Sequence, residues 1–231
     1  SLESWSALQQ LSSNPVVTDA DYRQAAEWLG PDGYIDHLLI RMWAGDHDWL
    51  GPAFAPGVTG NVALQNSKNW YAARNTRSAE AGPWRFFTWD GEISMGSNLL
   101  PVLLNQINAP PDLIFPAYLQ RKLDLDLTGI SRSNTPAAPW AALTSHPEFR
   151  LKVADRARRL LYNSGALTPE AASARIASLA ARLDLAIVAE SARWSGLSAA
   201  DYIYTSSPLP FRDTHWRPEV EWLRDTFAVQ R

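Results

Sequence analysis

Two short aromatic segments, joined by a polar connection, restrict the fold of this chain more than any other feature of its sequence. The connection, residues 75–83, is polar and ends in Gly82-Pro83. The flanking segments, residues 69–73 and 84–89, carry residue types that a pleated surface favours: Trp70, Tyr71, Trp84, Phe86, Phe87 and Trp89. This arrangement predicts two strands that pair as an antiparallel ribbon.

The rest of the chain has the pattern of helices, because apolar residues recur at helical spacing between capping signals. Thr18 is placed to cap one helix, Gly30 to end it, and Gly45 to end the next. Ser145 and Glu148 have the spacing of a capping box for a later helix. The predicted helices cover residues 19–29, 34–44, 97–107, 112–122, 147–163, 169–194 and 216–228. The predicted fold class is therefore α+β, predominantly helical, with one central aromatic β-ribbon.

Two segments without helical or strand pattern organise the chain. Residues 50–66 are rich in Gly, Pro and Ala and predict a loop that is long for a compact domain. Residues 124–139 have the composition of a linker. This linker would divide a first part, residues 1–123, which holds helices and the ribbon, from a helical second part, residues 140–231.

Composition excludes several classes of protein. The chain has 231 residues, of which 46% are hydrophobic and 19% charged, as in a folded globular protein. Its net charge is −3 and its basic residues are dispersed, so no nucleic-acid partner is expected. Cysteine is absent, which excludes disulfides, thiolate metal sites and cysteine nucleophiles. No segment is long and apolar enough to predict a transmembrane helix.

Polar side chains collect where predicted elements end. Asp46 and Asp48 follow the helix that stops at Gly45, Asn69 opens the first strand, and Asp90 closes the second. Because the strands run in opposite directions, Asn69 and Asp90 are expected at the same end of the ribbon. Carboxylate and amide oxygens are the ligands that a hard cation demands. Acidic residues at strand ends are also common turn residues, and this simpler interpretation stays open.

Several phrases of the sequence, taken together, resemble the CotH kinase family, which is named for spore coat protein H. The phrases are YIDHLLIRMWAGDHDW at 34–49, NWYAARN at 69–75, WRFFTWDGE at 84–92, HPEFRLKVADRARRLLYNSGALTPEAASARI at 146–176 and AIVAESARW at 186–194. They span most of the chain. The resemblance implies the C-terminal lobe of a protein-kinase-like fold, from a family of secreted or spore-coat atypical kinases.

The resemblance also implies roles for four residues. Asp48 matches the catalytic base, which accepts the proton of the substrate hydroxyl. Asn69 and Asp90 match ligands of Mg²⁺, and Trp89 would shape or contact the nucleotide pocket. The implied cofactors are Mg²⁺ and ATP, and phosphoryl transfer depends mainly on positioning and on neutralising phosphate charge.

The sequence departs from the family pattern at three points. Asp46 stands where relatives commonly have Asn, so either Asp46 or Asp48 is the functional acid. The loop at 50–66 is longer than usual, which makes Asn66 a competing ligand. Residues 1–33 hold no Gly-rich phosphate loop and no strand lysine, so an upstream N-lobe or a partner chain is expected.

Two other functions fit the same residues. A non-catalytic scaffold subunit of a larger assembly would keep the kinase-like lobe for packing against other proteins. A glycosidase would use paired carboxylates such as Asp48 and Asp90, with Trp side chains stacking on sugar. The kinase lobe, with a protein substrate or protein complex as its partner, is preferred over the scaffold, and the glycosidase comes last. The expected location is secreted or cell-envelope.

Overall fold

The chain is mostly helical and contains a two-stranded antiparallel sheet, which confirms the predicted α+β class. The structure is a computed structural model that describes residues 2–14, 17–46, 49, 69–77, 81–91, 94–96, 128, 135–194 and 211–231. Two compact units are present: unit 1 comprises Ser1–Ser94 and Leu125–Leu160, and unit 2 comprises Met95–Asp124 and Leu161–Arg231. The predicted helices at 97–107 and 112–122 and the predicted loop at 50–66 lie outside the described residues.

Unit 1 combines helices with the ribbon around one apolar core. Its elements are α1 (Leu2–Leu11), α2 (Asp19–Leu29), α3 (Pro31–Ala44), β1 (Trp70–Ala73), β2 (Arg85–Thr88), α4 (Ala137–Leu143) and α5 (Pro147–Leu161), the last residue of which is grouped with unit 2. Leu8, Ile35, Leu38, Leu143 and Phe149 are among the buried side chains of this core. Helices from both ends of unit 1 therefore contribute to one hydrophobic cluster, on which the ribbon packs.

The turn between α2 and α3 is made by Gly30. Thr18 begins α2 with a capping box that it shares with Asp21, as the Thr18 cap predicted. Gly30 has φ 59° and closes α2 by donating its N–H to Ala26. Pro31 follows as the first residue of α3, because its fixed φ suits a position whose N–H has no helical partner. Helix α3 therefore begins three residues before the predicted start at residue 34.

The ribbon is antiparallel, as predicted. Its register pairs Trp70 with Thr88 and Tyr71 with Phe87. One face packs on the core, where Trp5 of α1 lies against the rings of Trp70, Trp84 and Phe86 with centroid distances of 5.6, 6.0 and 6.2 Å. On the other face the exposed rings of Tyr71 and Phe87 stack at 4.7 Å. Alternation along each strand thus divides the aromatic residues between core and surface.

The predicted linker extends too far toward its C-terminal end. Helix α4 begins at Ala137, and Ala137, Ala138 and Pro139 are buried. Two hydrogen bonds from distant helices hold the segment against the core. The Tyr34 hydroxyl donates to the Pro136 carbonyl at 2.6 Å, and the Gln9 amide donates to the Thr135 carbonyl at 3.2 Å. Residues 135–139 are therefore part of the folded core.

The predicted capping box of α5 is wrong. Helix α5 begins at Pro147, so Ser145 lies one position too early to cap it. The Ser145 hydroxyl instead accepts the Val17 backbone N–H at 3.0 Å and donates to the Ala142 carbonyl at 2.7 Å. Ser145 therefore ties α4 to the segment that leads into α2.

Unit 2 contains α6 (Pro169–Trp194) and a C-terminal helical segment. Helix α6 has the predicted bounds. The C-terminal segment consists of a π-helical turn (Arg212–Trp216), α7 (Arg217–Trp222), a second π-helical turn (Leu223–Phe227) and α8 (Ala228–Gln230). Asp184 of α6 binds both Arg212 and Arg217. None of the described helices has the length and hydropathy needed to cross a membrane.

Candidate functional site

The open end of the ribbon brings together the residues that flank its strands. Asn69 precedes β1, and Trp89 and Asp90 follow β2. The Trp89 N–H donates to the Asn69 carbonyl at 3.3 Å, which extends the ladder by one pair. The structure therefore places Asn69 and Asp90 at the same end of the ribbon, as the antiparallel arrangement predicted.

Asn69 and Asp90 both have left-handed backbone conformations, with φ 62° and 52°. Asn and Asp tolerate this region better than most residues, because their short polar side chains form local hydrogen bonds. Asp90 is exposed and Asn69 is half-buried. Trp89 between the ladder and Asp90 is 66% exposed, which is unusual for a tryptophan. The ribbon thus ends in two turns that present an exposed carboxylate and an exposed indole.

Arg41, near the end of α3, contacts this end of the ribbon. Its guanidinium is only 1% exposed and donates to the Asn69 carbonyl at 2.7 Å. A second nitrogen lies 3.0 Å from a carboxylate oxygen of Asp46, and the guanidinium carbon lies 5.1 Å from the centroid of the Trp49 ring. One buried cation therefore contacts the ribbon, an aspartate and an aromatic face.

Asp46 is a buried partner of Arg41 rather than an exposed acid. It is 3% exposed, and its backbone carbonyl accepts the Trp49 indole N–H at 2.8 Å. Its carboxylate also lies near the chain after Asp90, since a Cβ added to Gly91 would be 3.8 Å from an Asp46 oxygen. Asp48, the other candidate acid, lies outside the described residues, as does the competing ligand Asn66. The geometry gives Asp46 a structural role and leaves the catalytic role of Asp48 a prediction.

Two residues at the ribbon end belong to the types that hard cations bind. Asp90 supplies a carboxylate and Asn69 an amide oxygen, and both suit Mg²⁺. Among the residues that the structure describes, no group of three His, Asp or Glu side chains could hold a metal ion. Mg²⁺ usually takes only one or two ligands from protein side chains and the rest from waters or a substrate.

Sequence reasoning missed Arg41. Its position in the last turn of an amphipathic helix is typical of a cation that favours the helix C-terminus and remains in solvent. The only local signal is the acidic residue that follows five positions later. The burial of the Arg41 side chain depends on its hydrogen bond to Asn69, which is 28 residues away in the chain.

His37, one turn before Arg41, is buried in its neutral form. Burial, followed by the nearby Arg41 charge, lowers the pKa of the His37 imidazole to about 3. The unfolded chain binds this proton near pH 6.5, whereas the folded chain does not, so stability falls as pH drops through the window between these values. Lowering the pH from 6.5 to 5 should therefore reduce the free energy of unfolding by about 2 kcal/mol through this residue.

Urea unfolding at several pH values checks this expectation. His37→Leu removes the titrating group, and its stability should change less between pH 6.5 and 5 than that of the wild type. The remaining histidines are common to both proteins and cancel in the comparison. Parallel pH curves would contradict the buried neutral state of His37.

No protein-family model, curated protein or solved structure matches the chain.

Proposed function

We propose that this chain is the C-terminal lobe of a CotH-like atypical protein kinase. Such a lobe takes part in Mg²⁺-dependent phosphoryl transfer from ATP to a Ser or Thr hydroxyl when an upstream N-lobe is present. The observation that carries the proposal is the backbone hydrogen bond from Trp89 to Asn69, which sets Asn69 and Asp90 at the same open end of the ribbon, next to the exposed Trp89 indole. The resemblance of the surrounding phrases to the CotH family supports the assignment of these three residues.

Each residue has a distinct task in this proposal. Asp90 and Asn69 hold the cation, which when bound neutralises charge on the transferring phosphate. Trp89 offers an exposed aromatic surface beside them for the nucleotide. Asp48 orients the acceptor hydroxyl and accepts its proton. The site requires no covalent chemistry from the protein, because phosphoryl transfer is catalysed mainly by positioning and electrostatic stabilisation.

Asp90→Ala tests the proposal. In the full-length natural protein, the variant should weaken Mg²⁺-dependent ATP binding at least about tenfold, which corresponds to about 1.4 kcal/mol, because one charged ligand of the cation is removed. Isothermal titration calorimetry with and without Mg²⁺ measures the change. Asp155→Ala, which removes an exposed carboxylate from α5 of the same unit, is the matched control.

Unchanged Mg²⁺-dependent ATP binding in Asp90→Ala would contradict the assignment of Asp90 as a ligand of the cation. ATP binding that is independent of Mg²⁺ would remove the proposed role of Asn69 as well. Thermal unfolding of both variants confirms that they are folded. Asp90→Ala should unfold at a somewhat lower temperature than the wild type, because alanine tolerates the left-handed backbone at this position (φ 52°) less well than aspartate does.

A non-catalytic scaffold subunit is the second candidate. It is favoured by the outer face of the ribbon, where the rings of Tyr71, Phe87 and Trp89 are exposed. Exposed aromatic surface of this kind is typical of a protein-binding face. In that case the full-length protein would bind no ATP, and both Asp variants would behave like the wild type.

A further inference from the structure

Arg41 connects three parts of unit 1 that are separate in the sequence. It belongs to α3, its guanidinium binds the carbonyl of Asn69 before β1, and it contacts Asp46 and Trp49, which follow α3 in the sequence. The planar guanidinium suits this task, because it has several donors in a fixed fork. A lysine at the same position keeps the charge, but all its donors lie on one nitrogen and do not reproduce the two separate guanidinium nitrogens that reach the carbonyl and the carboxylate.

The Asn69 carbonyl links Arg41 to the residues that follow strand β2. It accepts one hydrogen bond from Arg41 and a second from the backbone N–H of Trp89. Asp90 follows Trp89 directly, and both Asn69 and Asp90 have positive φ. Such backbone conformations persist when their surroundings hold them in place. Arg41 is a buried group that contacts the Asn69 backbone at this end of the ribbon.

We propose that Arg41 is the positioning residue of the ribbon end, which sets the separation and orientation of Asn69 and Asp90 for a divalent cation. The inference rests on the proposed function, since it assigns the buried Arg41 guanidinium a task in that same site. Arg41 acts through the Asn69 backbone and does not contact the cation. Groups that orient metal ligands in this way commonly change metal affinity by 10–100-fold when they are replaced.

The primary variant is Arg41→Lys, and the probe is Mn²⁺, which accepts the same oxygen ligands as Mg²⁺ and is detected by electron paramagnetic resonance. Mn²⁺ affinity of the full chain should fall at least about tenfold. Arg156→Met is the matched control. Arg156 binds Asp36 and thereby ties α5 to α3 in the same unit, but no described contact joins it to the ribbon. This control loses the ion pairs with Asp36 and Asp32 and should keep its affinity for Mn²⁺.

A second variant covers the case in which Arg41→Lys does not fold. Arg41→Met combined with Asp46→Leu removes both buried charges, and such apolar replacements are often tolerated. We expect this double variant to keep the fold and to lose the contact to the Asn69 carbonyl. Amide hydrogen exchange at Trp89 gives a readout that does not involve the cation, and it should become at least about tenfold faster in both Arg41 variants relative to Arg156→Met.

The outcomes separate this inference from the proposed function. Weaker Mn²⁺ binding together with faster exchange at Trp89 supports Arg41 as the positioning residue. Wild-type affinity in both Arg41 variants overturns it, while loss of binding in Asp90→Ala still supports the proposed site. If the wild-type chain binds no Mn²⁺, the proposed cation site fails, and unchanged exchange at Trp89 then overturns the role of Arg41 also.

Discussion

Replacing Asp46 by leucine is expected to lower the free energy of unfolding by about 3–5 kcal/mol, the range found when one partner of a buried ion pair is removed. The change leaves the Arg41 guanidinium, which is 1% exposed, without the carboxylate 3.0 Å away. Burial already lowers the pKa of Arg41, and the Asp46 charge opposes this shift. Equilibrium unfolding in urea, followed by tryptophan fluorescence, measures the loss.

Two comparisons identify the cause of that loss. Arg41→Met combined with Asp46→Leu should recover most of the stability, because no unpaired charge stays buried. Asp32→Ala breaks an ion pair with Lys152 in which both side chains are largely exposed, and should cost less than about 1 kcal/mol. If Asp46→Leu were as mild as Asp32→Ala, the Arg41–Asp46 pair would have to be accessible to water in solution.

Replacing Gly30 by alanine is expected to destabilise the protein by about 3 kcal/mol, from left-handed strain of about 1–2 kcal/mol and overpacking of a similar size. Gly30 has φ 59°, and an added Cβ would lie 2.8 Å from Cγ of Pro83. The proline ring cannot move freely, because the neighbouring Trp84 N–H donates to the Trp28 carbonyl at 2.7 Å. Thermal or urea unfolding measures the change.

Gly33, three residues later in α3, is the matched control. A Cβ added there would meet no described heavy atom within 4 Å, and its φ is not in the left-handed region. Gly33→Ala should therefore stabilise the protein by about 0.5–1 kcal/mol through helix propensity. Opposite signs for the two alanine substitutions are the expected result, and equal effects would contradict the conformation of Gly30.

The elements that local chemistry determines could be predicted from the sequence. Thr18 and Gly30 mark the bounds of α2, and the helical spacing of apolar residues predicted α6 at 169–194. The two aromatic segments predicted the ribbon because alternation and residue type are local properties of a strand. Pairing of these strands then placed Asn69 and Asp90 at one end without further information.

The features that were missed depend on contacts between distant residues. Residues 135–139 have the proline and small-residue composition of a linker, and become part of the core through Tyr34 and Gln9, which are more than 100 residues away. Ser145 and Glu148 have capping-box spacing, but the Ser145 hydroxyl is taken by Val17, 128 residues earlier. The burial of Arg41 likewise depends on a partner outside its helix. Local patterns carry no signal for such contacts.

The division of the chain into units has a consequence for how the protein folds. Each unit is discontinuous, since Met95–Asp124 separates the two parts of unit 1, and Leu125–Leu160 separates the two parts of unit 2. During synthesis, Gln9 and Val17 can form their hydrogen bonds to Thr135 and Ser145 only after those residues have been made. Closing so long a loop is slow and leaves apolar helices exposed in the meantime. Neither unit corresponds to one uninterrupted stretch that could be excised and expressed alone.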